Sequence, residues 1–477
     1  MSLGFPSVSL DELEDVDKLS EDESSWFASM LSVATIFGCL ACGPLLDWLG
    51  RRKTLIIMNI PFIIGWTILC VAPSPAPLYM LYIGRVLTGI GSGMVSIPAC
   101  VYIGEMATDR LRGVLVTWPS ICMSIGVFLI YVIGLGIKSN WRLVAGVSIS
   151  IPVVTITLIF IFLKESPKWL LTRGRIQEAE ISFKWIRQVD ENEKMPVEIR
   201  EEFERLLEVT NKINEESIPP QISTISNVME GKPTFSLNPK QTFCQRLSNF
   251  GRIFKRPDFW KPLLIHNLYF FFMQFGGIQV VQSYAADILE SAGVRMDAYI
   301  ASVILGAVQV LGGVAASIAF NKCGRRPISI ISGAGMTLTM VGLGVYLEVS
   351  DGSEDLASIP LILMIGYIAL EAVGFNLIPW GLLGELYPTK VAGIGGGITA
   401  CMANLMGFAA IKFYPGFESY LRGDQPRDGG VFFFFGGVAC VGTVFVFLFL
   451  PETFRKSLQE ISQEFRHGST KKRLLCC

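Results

Sequence analysis

The chain has 477 residues, of which 51% are hydrophobic and only 17% charged, with a net charge of −1. A soluble protein carries about 25% charged residues, so this deficit sets the class apart. Near-neutrality argues against a nucleic-acid binder, which would show a basic excess. A helix needs about 20 mostly apolar residues to cross the hydrocarbon core of a bilayer. That criterion predicts an all-α polytopic membrane protein with eleven spans, near 26–46, 54–72, 78–102, 114–136, 142–163, 260–288, 299–320, 328–347, 359–383, 393–415 and 430–450.

Orientation follows from Lys and Arg in the short loops. Arg51-Arg52-Lys53, Arg110 with Arg112, Lys322 with Arg325 and Arg326, and the basic stretch within 164–259 all fall on one side. That side is expected to be cytoplasmic, together with the tail from Arg455 to Arg473. The loops 73–77 and 348–358 carry almost no positive charge, and the acidic stretch Asp11 to Glu23 is expected outside. The implied plan is an extracellular segment 1–25, a five-span bundle 26–163, a cytoplasmic helical linker 164–259, a six-span bundle 260–450 and a cytoplasmic tail 451–477.

The chain repeats itself weakly. Asp47 to Lys53 recurs as Asn321 to Pro327, Glu105 is matched by Glu385, and Glu165-Ser166-Pro167 is echoed by Pro451-Glu452-Thr453, at offsets of 274, 280 and 287 residues. Two related halves around a central site are an expected transporter plan. In the second half two spans precede the Gly-Arg-Arg loop, in the first half only one. By that logic one helix of a twelve-span plan is missing at the start, through truncation or in a natural eleven-span carrier.

The linker changes composition sharply. Arg175 to Trp185 and Pro196 to Asn211 read as charged amphipathic helices. Residues 215–240 read as a flexible connection, and Cys244 to Lys255 as a helix on the membrane surface or under the bundle. Among the eleven cysteines, Cys39, Cys42, Cys70, Cys100, Cys122, Cys401 and Cys440 lie in apolar runs and read as small packing residues. Cys476 and Cys477 end the chain beside a basic run, where palmitoylation or no modification both fit.

Charges at the cytoplasmic span ends form the first candidate site. Asp47, Arg51, Arg52, Glu105, Arg112 and Glu165 in the first half, and Arg325, Arg326, Glu385 and Glu452 in the second, are expected to pair and gate the inner face, or else simply to enforce topology. Gly89 and Gly93, four apart in the third span, let another backbone approach, and Arg85 is expected to pair or snorkel. Uncharged polar groups form the second candidate site. Gln274, Gln279, Gln282 and Tyr284 lie in the sixth span, Asn376 and Trp380 beside Pro379 in the ninth, and Asn404 in the tenth. Amides with an aromatic face suit sugar hydroxyls, although they also suit bonds between helices. Glu371 is a carboxylate well inside an apolar span, and reads as a proton site, a cation site or a residue at a wet interface. Neither His266 nor His467 has partners suggesting catalysis. No nucleophile, metal or phosphate site is found, and no cofactor is expected.

These residues carry a recognisable pattern. Asp47 to Lys53, Gly84-Arg85 with its glycines, Tyr102 to Glu105 through Arg112-Gly113, Glu165 to Leu170, Gly277-Ile278, Gly324-Arg325-Arg326, Ile378-Pro379-Trp380 with Glu385, and Pro451-Glu452-Thr453 together resemble a sugar porter of the major facilitator superfamily. The likeness runs from Gly4 to Ile461 and is strongest to the insect facilitated trehalose transporter-like group. It implies a major-facilitator fold of two pseudo-symmetric bundles in a plasma membrane. It implies a small neutral sugar (trehalose or a hexose) as substrate, the bilayer as surroundings and no enzymatic activity, and leaves oligomeric state open. It places Leu3 to Ser7 at the outer end of the family's first helix. It implies Gln274, Gln279, Trp380, Asn404 and, at a usual glutamine position, Ser120 as sugar contacts. Met273, Val373 or Ala372, Ala392 and Asn321 depart from the family pattern, and Glu371 is displaced onto another face. The expected function is facilitative transport by alternating access. A non-transporting sugar sensor and a proton-coupled symporter are the competing readings.

Overall fold

The computed structural model describes residues 1–95, 98–106, 115, 118–138, 140–190, 195–216, 257–285, 288–289, 297–320, 323–349, 358–383, 386–387, 392–422, 429–453 and 465. Every regular element among them is helical. In the first half these are α1 (Pro6–Asp15), α2 (Glu21–Leu49), α3 (Arg51–Ile57), α4 (Asn59–Cys70), α5 (Leu78–Val95), α6 (Pro98–Met106), α7 (Trp118–Gly136), α8 (Trp141–Ser148) and α9 (Ser150–Phe162). Next come α10 (Pro167–Thr172), α11 (Ile176–Ile186) and α12 (Val197–Glu216). The second half holds α13 (Pro257–Phe275), α14 (Ile278–Ser283), α15 (Ala298–Phe320), α16 (Arg325–Val349), α17 (Ile359–Leu370), a π turn (Glu371–Phe375), α18 (Leu377–Leu382), α19 (Ala392–Arg422) and α20 (Gly430–Phe449).

Among the described residues, ten helical stretches are long and apolar enough to cross a membrane. They fall on ten of the eleven expected runs, for example Arg51–Cys70 for 54–72 and Trp141–Phe162 for 142–163. The remaining run, 260–288, is not one helix. It breaks at Gly276-Gly277, where Gly277 takes φ +96° and starts α14, a left-handed conformation that favours glycine. The tenth span also runs on past Pro415, to Arg422. Large apolar side chains face outward on these helices, with Phe160 at 68% and Leu338 at 74% exposure. Such a surface suits lipid tails and would aggregate in water.

Local chemistry explains the helix ends. Ser20 caps α2, its hydroxyl accepting from Glu23 N at 3.4 Å while Glu23 Oε2 accepts from Ser20 N at 2.9 Å. Glu21, Asp22 and Glu23 supply negative charge to that first turn, where the helix dipole favours it. The close approach expected of Gly89 and Gly93 is present and its partner is α2. A Cβ on Gly93 would stand 2.1 Å from the Thr35 carbonyl, and one on Gly38 would stand 2.1 Å from that of Ile90.

Among the described residues the halves meet chiefly along two seams, α2 against α19 and α7 against α15, and α1 also touches α14. Trp26 and Phe408 pack at 5.7 Å in the first, and Gly306 abuts Phe128 and Tyr131 in the second. Of the linker, α10 to α12 pack on one another through Trp169, Leu170, Leu171, Ala179, Phe183 and Phe203. The expected amphipathic helices are therefore present at Ile176–Ile186 and Val197–Glu216. The expected helix at 244–255 lies outside the described residues.

Candidate functional site

At the end of the bundle carrying Arg51 and Arg325, the two halves build the same device. Gly50 has φ +90°, which lets α2 stop and α3 restart with its first N–H groups aimed at Glu165. The Glu165 carboxylate accepts from Arg51 N at 2.7 Å and Arg52 N at 3.1 Å. In the second half Glu452 accepts from Arg325 N at 3.0 Å and Arg326 N at 3.2 Å. Both carboxylates occupy the positive end of a helix dipole. A Cβ on Gly50 would lie 2.6 Å from Glu165 Oε2, and one on Gly324 2.2 Å from Glu452 Oε2, so both glycines clear the carboxylate. The next arginine repeats too. Arg52 Nη2 donates to the Phe160 carbonyl at 2.8 Å and its guanidinium lies 5.6 Å from that ring. Arg326 Nη2 donates to the Phe447 carbonyl and lies 5.5 Å from that ring.

The first half adds a fork. Arg51 Nε and Nη2 meet Glu105 Oε2 and Oε1 at 2.9 and 2.7 Å, and Ser166 Oγ donates to Glu105 Oε2 at 2.5 Å. Asp47 enters differently from expectation. It contributes its carbonyl, which accepts from Trp169 Nε1 at 3.1 Å and from Arg173 Nη2 at 2.5 Å, while the residue itself is exposed. Arg112 and Glu385 lie outside the described residues. The hydrogen bonds described here each join groups of the same half.

Among the described residues, two ion pairs join the halves at the opposite end. Lys412 on α19 pairs with the Asp22 carboxylate, donates to Ser25 Oγ at 2.7 Å and lies 4.7 Å from the Trp26 ring. On the other seam Lys138 pairs with Asp297. That contact holds the Asp297 carboxyl below its ordinary range, chiefly through the hydrogen bond from the Lys138 ammonium. Deeper in this seam, Tyr131 donates to the Gln282 carbonyl at 2.8 Å. Arg85 does not snorkel, and among the described residues it pairs with no acid. It is fully buried, and its guanidinium donates to the carbonyls of Ser2, Phe27 and Ala28 at 2.7, 2.9 and 3.1 Å.

The second group of residues gathers where α19 crosses the α13/α14 break. Gln274 is fully buried; its Nε2 donates to the Ala403 carbonyl at 3.1 Å and its Oε1 has no partner among the described residues. Gln279 presents an unpartnered Oε1 toward Gly407, where a Cβ would stand 2.5 Å away. A Cβ at that glycine would also meet Gln274 Nε2 at 3.3 Å, so the two amides share one spot. Asn404 lies one turn from Gly407 but donates to its own helix, to the Ala400 carbonyl at 2.8 Å. Trp380 stands edge-on to Phe270 at 4.9 Å, and Phe270 precedes Gln274 by one turn. Ser120 is half-buried on α7, its carbonyl accepting from Ser124 Oγ at 3.3 Å. Among the described residues no hydrogen bond joins it to the glutamines.

Two features were not anticipated. The first is that Glu371, the carboxylate inside an apolar span, is joined to Asn376 by a local departure from the α-helix. A π turn closes between them through Asn376 N to the Glu371 carbonyl at 3.0 Å. Such a turn takes in one extra residue, and it brings Asn376 Nδ2 to 3.3 Å from Glu371 Oε1. Glu371 is 1% exposed, and among the described residues its Oε2 makes no hydrogen bond of good geometry. The Gln282 amide faces the same carboxyl, and the Tyr131 and Tyr367 hydroxyls neighbour it. The second feature is Gln309, buried on α15 with an unpartnered Nε2. An amide inside an apolar run was the available signal, the same one that marked Gln274.

A model of the family described as "Sugar (and other) transporter" matches residues 7–234 and 236–465. The chain belongs to that family. This family member is 28% identical over 476 residues to the facilitated trehalose transporter Tret1 of Bombyx mori, covering 99% of this chain and 85% of the relative. It is also 28% identical over 450 residues to the Tret1 of Polypedilum vanderplanki, covering 94% and 80%. Among solved structures it resembles the proton:xylose symporter XylE bound to 6-bromo-6-deoxy-D-glucose, with TM-score 0.71, 22% identity and 97% and 96% coverage. The inward-open XylE from E. coli gives TM-score 0.72 at 20% identity, covering 97% and 95%. The fold of this sugar-transporter family member is therefore the major-facilitator fold, a multi-pass membrane protein of two related helical bundles.

Proposed function

We propose that this chain carries a small neutral sugar, trehalose or a hexose, across the plasma membrane by facilitative alternating access. One observation supports this most. Gln274 Oε1, Gln279 Oε1 and Gln309 Nε2 are buried polar atoms in the helical core with no hydrogen-bond partner among the described residues. Leaving such atoms unmatched is costly. A sugar matches them with hydroxyls that donate and accept without net charge, and Trp380 offers its ring as an apolar face. Discontinuous helices at mid-bundle favour the same reading, because unwound backbone is found where it lines a transporter's site. Asn404 and Ser120 complete the proposed contacts from α19 and α7.

The Arg51–Arg325 end carries the basic loops and is assigned to the cytoplasm. Alternation then requires parting the Lys412–Asp22 and Lys138–Asp297 pairs on the outer face. The Glu165 and Glu452 clusters keep the inner ends of each half together. Uptake of labelled trehalose and glucose into proteoliposomes tests the proposal. Saturable uptake of either supports it. Sugar-dependent thermal protection without flux would replace it with a sensor.

One observation favours a second reading, proton coupling: Glu371 is a buried carboxyl whose Oε2 makes no hydrogen bond of good geometry among the described residues, and ionisable groups within membrane spans are by default functional candidates. Accumulation driven by an imposed pH gradient, and lost in Glu371→Gln, would establish it. Flux indifferent to the gradient would leave facilitation.

A further inference from the structure

Pro379 interrupts the helical ladder twice. It has no N–H, so the Phe375 carbonyl loses its usual donor. In addition, the Leu383 N–H bonds to Gly381 and not back to Pro379. The Pro379 carbonyl takes a donor from outside its own helix. His266 Nε2, on α13, lies 2.8 Å from it. A carbonyl only accepts, so this nitrogen carries the hydrogen.

The imidazole is held firmly. It is fully buried and stacks on Phe270 at 5.2 Å and on Tyr387 at 5.8 Å. Tyr387 is itself fixed by a 2.6 Å hydrogen bond between its hydroxyl and that of Thr399. Phe270 is also the ring against which Trp380 stands edge-on. His266 thus reaches Trp380 by two routes, through the carbonyl just before it and through the ring beside it. The first route is geometric. The carbonyl of residue 379 and the N–H of residue 380 share one rigid peptide plane. Fixing the direction of that carbonyl fixes the plane and limits where the Trp380 side chain points.

From this geometry we infer that His266 is a positioning residue for sugar recognition, setting the orientation of the Trp380 ring through the Pro379 carbonyl. The inference rests on the proposed role of Trp380 as a sugar contact. The signature is a defect in affinity rather than in turnover. Without the donor, the indole populates other orientations, and the sugar must select the correct one.

The test is a double-mutant cycle read on KM and maximal rate per folded carrier, using labelled trehalose and glucose in proteoliposomes. His266→Leu removes the donor at similar volume. It is expected to raise KM about five-fold, the worth of one neutral hydrogen bond, with the maximal rate held within about two-fold. His266→Gln, which places an amide N–H near the position of Nε2, is expected to restore KM. In a Trp380→Ala background, His266→Leu is expected to add nothing further, because the two act through one element. An unchanged KM in His266→Leu, beside a raised one in Trp380→Ala, would overturn the positioning role alone. Independent, multiplying effects in the double variant would overturn it as well. An unchanged KM in Trp380→Ala would remove the sugar-contact reading and this inference together.

Discussion

Replacing Glu165 by Gln probes the charge device at the inner end. The carboxylate accepts from Arg51 N at 2.7 Å, Arg52 N at 3.1 Å and Ser166 N at 3.0 Å. Glutamine keeps one acceptor oxygen and turns an NH2 group toward the same N–H donors. A hydrogen bond to a charged group contributes roughly 1 kcal/mol more than a neutral one. The two bonds at the start of α3 therefore lose about 2 kcal/mol, and the helix dipole loses its counter-charge, a further ~0.5 kcal/mol. The expected destabilisation is about 2–3 kcal/mol, measured by reversible denaturation of the purified carrier in detergent. Because Glu452 makes the same pair of backbone contacts at 3.0 and 3.2 Å, Glu452→Gln is expected to fall within about 1 kcal/mol of Glu165→Gln. A loss under about 0.5 kcal/mol at Glu165 would refute the capping argument. A large loss at one position and none at the other would refute the claim that the halves repeat one mechanism.

Three other outcomes follow from described contacts. Lys412→Glu sets two acids against each other at the α2/α19 seam and should cut uptake roughly five-fold, with Asp22→Lys restoring it, as a charge swap should; failure of the swap to rescue would separate this pair from the transport cycle. Gly38→Ala drives a Cβ into the Ile90 carbonyl and should cost about 3 kcal/mol or prevent folding, whereas Gly43→Ala, with open space around it, should be silent in the same denaturation assay. The Asp297 carboxyl, held below 3.8 mainly by the Lys138 hydrogen bond, contributes fully above its free value and loses that contribution only as pH falls through the lowered one. The ratio of wild-type to Asp297→Asn uptake should therefore stay flat from about pH 7.5 to about pH 5, and a collapse of that ratio near pH 6 would contradict the assignment.

The spans were legible because a bilayer imposes a length and a polarity that few other structures need, so runs such as 142–163 announce themselves. The repeated charges were legible for a related reason: Glu165 and Glu452 follow equivalent helices, and both were found capping the Gly-Arg-Arg turns. The rest depended on backbone departures with weak local signals. Gly276-Gly277 splits the sixth run, and a window average over apolar residues smooths that break away. The π turn at Glu371 brings its carboxyl to Asn376, a contact that regular 3.6-residue spacing does not announce. Arg85 satisfies itself with three carbonyls from Ser2, Phe27 and Ala28, partners that carry no side-chain signature. Of the proposed contacts, the Gln274 and Gln279 amides meet across the break at Gly276-Gly277, a juxtaposition that no helical spacing announced. Asn404 turned to its own helix, a choice that hydrogen-bond geometry makes only once the fold is formed.

The closed circuits of charge around Glu165 and Glu452 have a mechanical consequence. The Glu165 and Glu452 hydrogen bonds described above each join groups of one half, so they can survive a rotation of one half against the other, and each half can then tilt as a stiff lever. The resistance to tilting is then concentrated in two narrow strips, where Trp26 rests on Phe408 and where Gly306 rests on Phe128. Under the proposed alternating access, small changes of side-chain bulk along those strips would alter the speed of the cycle while leaving the proposed sugar contacts untouched.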